Sequence, residues 1–137
     1  MVHAGPKLLQ WIQNDLPSLQ STWRIEQSPI EQLDDLMQVF CSGEPLTVGW
    51  QFKSLAHVAD GVWELKTPDL RIFGWFHQRD CFIGVIGDTA DRIKQYHLYE
   101  GYSRVEVVGF RNALDLDEPK YIPGDNPHAA VSNYSYP

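Results

Sequence analysis

The stretch that decides the fold is Gly61-Val62-Trp63-Glu64-Leu65-Lys66-Thr67-Pro68-Asp69-Leu70-Arg71-Ile72-Phe73-Gly74-Trp75-Phe76. Its first part alternates, with Trp63 and Leu65 on one side and Glu64 and Lys66 on the other, the period of a half-buried strand. The alternation sends Trp63 and Leu65 into a core and the two charges outward, since a slip of one residue would bury both. Pro68-Asp69 is a turn signature. Leu70 to Phe76 is a second strand, rich in β-branched and aromatic residues. His77-Gln78-Arg79-Asp80 reads as a hairpin loop, and the apolar run Cys81 to Ile86 as a third, central strand. The three make an antiparallel meander.

Outward from the meander, the period changes to that of helices. Leu8, Leu9, Ile12 and Leu16 share one face of a helix that opens behind Pro6 and ends at Pro17. Thr22-Trp23-Arg24-Ile25-Glu26 reads as a short strand. Ser28-Pro29-Ile30-Glu31 is a capping box with proline at the first helical position. Ile30, Leu33, Met37 and Phe40 then line one face until Gly43 and Pro45. After the meander, Asp88 is the expected cap of a helix carrying Ala90, Ile93 and His97 and closed by Gly101. Ser103-Arg104-Val105-Glu106 has the spacing of a second capping box, opening a helix through Val107, Phe110 and Leu114. The expected fold class is therefore α+β, a small antiparallel sheet flanked by helices. A single domain covers residues 1–118 with an extra N-terminal helix, and 119–137 form an irregular, proline-rich tail.

Composition narrows the function. The chain has 137 residues, 43% hydrophobic, with 11 basic and 18 acidic side chains and a net charge of −7. Residues 1–49 carry −4, residues 50–111 are neutral, and 112–137 carry −3. A broad basic face is excluded, although a small basic patch fits within the neutral middle. No apolar run reaches the roughly 18–20 residues of a membrane span, and the N-terminus lacks the layout of a secretory signal. Cys41 and Cys81 make no disulfide framework. A cytoplasmic protein without membrane contact is expected.

No Walker loop, nucleophile elbow, dinucleotide fingerprint or H-E-x-x-H is present. The five histidines are scattered, so no metal and no cofactor are expected. What remains is a set of cations and proton carriers on and just after the sheet: Lys66, Arg71, Tyr96 and His97 as candidate catalytic groups, with Lys53, Arg79 and Lys94 as candidate RNA-binding groups. Such a set suits RNA cleavage, in which a base takes the 2′-hydroxyl proton, cations offset the phosphorane charge and an acid protonates the leaving 5′ oxygen. A plainer reading competes. Lys66 and Arg71 would then be solvated strand ends paired with Glu64 and Asp69, and Tyr96 would pack with Tyr99 and Tyr102.

The order of these segments resembles the RelE/ParE toxin superfamily, especially its phage-derived HigB-like branch. The resemblance rests on Phe52-Lys53-Ser54-Leu55, then Gly61-Val62-Trp63-Glu64-Leu65-Lys66, then Leu70-Arg71-Ile72-Phe73, over roughly residues 23–100. It implies a metal-independent endoribonuclease acting on mRNA, often on the ribosome, and neutralised by a cognate antitoxin. Lys66 and Arg71 stand where the family has functional cations, with Lys53 a weaker match. The chain departs from the family after the third strand, where Gly87-Asp88-Thr89-Ala90-Asp91-Arg92 is net acidic rather than lysine-rich. The alternative is a non-catalytic, phage-derived binding or regulatory protein on the same fold. Tyr121, Tyr134 and Tyr136 would suit its contact with a partner or a second copy in a homodimer.

Overall fold

The computed structural model describes residues 1–23 and 25–137. A five-stranded sheet runs β1 (Val2–Ala4), β6 (Cys81–Thr89), β5 (Leu70–Gln78), β4 (Val62–Lys66), β3 (Phe52–Ser54) in spatial order. The meander β4-β5-β6 is its centre, and every pairing is antiparallel except β1 with β6. Its class is therefore mixed, helices packed on a mostly antiparallel sheet. Thr22 and Trp23 form a turn, with no strand at Ile25 and Glu26; Arg24 lies outside the described residues.

Both faces of the sheet are covered, which the alternation of β4 does not announce. On one face α1 (Pro6–Asn14) and α2 (Pro29–Ser42) bury Leu8, Leu33, Leu36 and Phe40 against Trp63, Leu65, Ile72, Phe76 and Phe82. On the other, a wide π-type helical segment, Gly101–Val107, continues into α4 (Val108–Ala113) and covers Val62, Phe73, Trp75, Ile83 and Val85. Trp63 and Leu65 are core residues as the alternation requires. Glu64, expected outside, is 2% exposed, because its side of the sheet is roofed rather than wet. Gly74 sits at a register shift between β5 and β6. A Cβ there would come within 2.0 Å of the Ile83 carbonyl oxygen.

The caps divide. Ser28 and Glu31 close a complete capping box, and Gly43 ends α2 in the left-handed region. Within α2, Ile30 faces solvent, while Gln32, absent from the expected apolar face, is buried. The helix after β6, α3 (Ala90–Gln95), is capped by Thr89 rather than Asp88, whose carboxylate is taken by Arg92 and Tyr102. α3 ends before His97, which adopts φ +53. Ser103 caps nothing: its helix begins upstream at Tyr99, and Glu106 is held by Lys7 at 2.8 Å instead of reaching back.

Residues 119–137 lie along the domain. They include a single helical turn, α5 (Pro127–Ala130), and β7 (Tyr134–Ser135), which pairs with β2 (Leu46–Thr47). The Arg111 guanidinium lies 3.7 Å from the Tyr121 ring centre, and Ala130 and Val131 enter the core. Tyr136 is exposed. Among the described residues no helix is long and apolar enough to cross a membrane.

Candidate functional site

Strand register assembles the candidate cations. Lys66 faces Arg71 directly across β4 and β5, which places their Cβ atoms about 5 Å apart on one side of the sheet. Arg71 in turn faces Asp88 on β6, and one row further along Lys53 faces Glu64. Lys53, Glu64, Lys66 and Arg71 therefore share a side. Lys66 and Arg71 reach the rim, where an open cleft of about 470 Å³ lies between α2, the β4–β5 turn and the loop after β2. Trp50, Gln51, Gln32 and Asp35 complete the part of its wall that carries chemistry.

Neither cation pairs with a carboxylate, contrary to the plainer expectation. Lys66 Nζ donates to the Gly49 carbonyl at 2.8 Å. Arg71 is 9% exposed, not the solvated strand end of the plainer reading, and one of its terminal nitrogens donates to the carbonyls of Thr67 and Leu70. Among the described residues its Nε has no partner, nor does Glu64 Oε2. Burial pushes the Glu64 carboxyl above its ordinary value, against the pull of Arg71 and Lys66. Burial and then the Arg71 charge push Lys66 the opposite way, below the usual lysine range, with Lys53 and Lys94 adding to the effect. Such an amine is neutral more often than a solvated lysine, which is what a general base needs.

No family model, curated protein or solved structure matches this chain.

The other candidate residues stand apart from the cleft wall. Lys53 is exposed on β3, and Lys94 is exposed on α3, near enough to act on Lys66 through its charge. Tyr96 is exposed and lies under the Arg92 guanidinium, 5.3 Å from ring centre to carbon, while Tyr99 and Tyr102 pack on Phe73 instead. His97 is exposed beyond the end of α3. Arg79 is at the far end of β5, about 26 Å from Arg71 at an ordinary strand rise, beside His128.

Two groups escaped the sequence reading. Tyr99 lies close to Glu64 and Arg71, its hydroxyl raised by burial first and by Glu64 second. Trp50 is 67% exposed at the cleft edge; a large aromatic between Gly49 and Gln51, in a turn, was its only sequence signal. A second cleft, about 530 Å³, holds Lys7, Asp88, Arg92 and Tyr102. Its polar groups satisfy one another, Tyr102 donating to Asp88 at 2.6 Å and reaching about 12 through burial and that bond. Of these two, the first cleft alone presents cations with no carboxylate partner, since Lys7 is paired with Glu106 and Arg92 with Asp88 in the second.

Proposed function

We propose that the chain is a RelE-like, toxin-type endoribonuclease that holds an RNA phosphate between Lys66 and Arg71. The observation that carries this is the direct cross-strand pairing of two cations, free of carboxylate partners, at the wall of an open cleft. The neutral amine of Lys66 takes the 2′-hydroxyl proton, and the 2′ oxygen attacks phosphorus. The bond from phosphorus to the 5′ oxygen breaks, leaving a 2′,3′-cyclic phosphate. That oxygen takes a proton from water, since His97 and Tyr96, the acids the sequence offers, stand apart from the cleft wall. Arg71 offsets the extra negative charge of the phosphorane. A cognate antitoxin and the ribosome would be the partners of such an enzyme.

The test is single-turnover cleavage of single-stranded RNA at low salt. Lys66→Ala and Arg71→Ala should each slow cleavage by about 10²–10³, the usual consequence of losing one preorganised charge-stabilising donor. Lys66→Arg places a permanent charge there but cannot act as a base, so it should be as slow as Lys66→Ala. Intact RNA with the wild type, or full rates in all three variants, defeats the proposal. A non-catalytic binding module on the same fold then stands, favoured by the backbone carbonyls that already occupy Arg71 and by the charge of −7.

A further inference from the structure

The turn that carries Trp50 is held from two sides. The amides of Trp50 and Gln51 both donate to the Thr47 carbonyl, at 3.2 and 2.9 Å, and Gln51 Oε1 accepts from the Thr47 amide at 2.8 Å. Gly49, at φ +85, donates to the Phe52 carbonyl at 2.8 Å. The residues on either side of Trp50 are then fastened to Lys66: its backbone amide donates to the Gln51 carbonyl and its Nζ to the Gly49 carbonyl, both at 2.8 Å. A ring two-thirds exposed is thus fixed at its backbone to the proposed base, Lys66, which stands directly across from the Arg71 charge. Exposed indole of this size is costly in water, whereas a rigid aromatic beside a cation is the arrangement on which unpaired bases stack.

We infer that Trp50 is a stacking platform for one base of single-stranded RNA whose phosphate lies on Lys66 and Arg71. This rests on the proposed function for its choice of ligand. It adds the requirement that the cleft read an unstacked base and not a phosphate alone. On the same wall Gln27 Nε2 is bonded to Asp35 and Gln51 Oε1 to the Thr47 amide, which leaves the Gln27 side-chain carbonyl as an acceptor and the Gln51 side-chain nitrogen as a donor for the edge of that base. Double-stranded RNA cannot satisfy the platform, because its bases are already stacked.

The experiment measures equilibrium binding of an eight-nucleotide 2′-O-methyl RNA, which cannot be cleaved by attack of the 2′ oxygen. The same backbone without bases serves as the control. Wild type should bind the base-bearing oligomer more tightly than the abasic one. Trp50→Ala should weaken the first about five- to hundredfold and leave the second unchanged, with Trp50→Phe falling between. Thermal unfolding of Trp50→Ala should match wild type, since the side chain is exposed. Equal affinity for the two oligomers, no binding of either, or no effect of Trp50→Ala overturns the inference. So does self-association of the wild type that Trp50→Ala abolishes, which would make the ring a protein contact. Cleavage of unmodified RNA is measured separately. If cleavage is absent but base-dependent binding persists, the enzyme reading fails and the platform stands; active enzyme indifferent to Trp50→Ala is the reverse.

Discussion

Glu64 shows how one buried residue sets the behaviour of its neighbours. It lies in the row beside Lys66 and Arg71, on the side of the sheet that the Gly101–Val107 segment covers, with one carboxylate oxygen unpartnered among the described residues. Burial outweighs the nearby cations, so the folded carboxyl holds its proton to higher pH than the unfolded one does. The stability tied to this proton is complete below the unfolded value, about 4.3, and is lost as pH rises from there through the folded value. Glu64→Gln cannot titrate and should escape that loss. In urea unfolding its midpoint should gain on wild type steadily from pH 4 to pH 7. A variant that instead falls behind wild type over that interval would show that attraction to Arg71 and Lys66 exceeds the cost of burial. The sequence made Lys66 and Arg71 legible as a pair because cross-strand register follows from strand length and turn position. It could not make Glu64 legible as buried, because period-two alternation names the two sides of a strand and not what covers them.

At the scale of elements, α2 is keyed to the β4–β5 turn by a polar cluster rather than by apolar contact alone. Gln32 Nε2 donates to Asp69 at 2.7 Å, while Gln32 Oε1 accepts from the Thr67 hydroxyl and the Asp69 amide. Thr22 donates to the other Asp69 oxygen through both its amide and its hydroxyl. Burial opposes ionisation of Asp69, but the bonds from Ser21, Gln32 and Thr22 prevail and hold the carboxyl below its usual range. A depressed value makes its contribution present above about pH 4 and lost as pH falls through the folded value. Asp69→Ala strands three donors, so it should cost about 3 kcal/mol at pH 7 and progressively less below pH 4. Denaturant titrations at pH 7 and pH 3 check this, and an equal cost at both would contradict it. The capping box of α2 was legible because it is local. Ser103 and Glu106 have the same spacing yet form no cap, because the helix starts upstream of Ser103, and Lys7, nearly a hundred positions away, takes the glutamate. Local signatures hold only where no distant partner competes for the same atoms.

The whole molecule depends on residues 119–137 more than their prolines and polar residues suggest. Trp75 Nε1 donates to the Lys120 carbonyl at 3.0 Å, the Ile122 amide to the Phe76 carbonyl, and the Asp80 amide to the Ala130 carbonyl. Ala130 and Val131 are buried beside Leu46, and β7 supplies the pairing of β2. Arg111 stacks on Tyr121, whose hydroxyl meets Asp60 at 3.2 Å. β2 also leads into the turn that presents Trp50, so the strap supports the cleft from behind. Removing residues 119–137 exposes the apolar surface beneath Val131, Ile122 and Tyr121 and leaves the Trp75 indole N–H without its acceptor. At about 25 cal/mol per Å² and about 1 kcal/mol per lost hydrogen bond, the expected cost is about 5 kcal/mol. That is comparable to the whole stability of a small domain, so the truncated chain should be largely unfolded at 25 °C by near-ultraviolet circular dichroism. Tyr121→Ala, which removes one anchor, should instead fold with a reduced urea midpoint. A truncated chain that unfolds with the wild-type midpoint would mean that the strap carries no stability, and that the β2 turn beneath Trp50 stands without it.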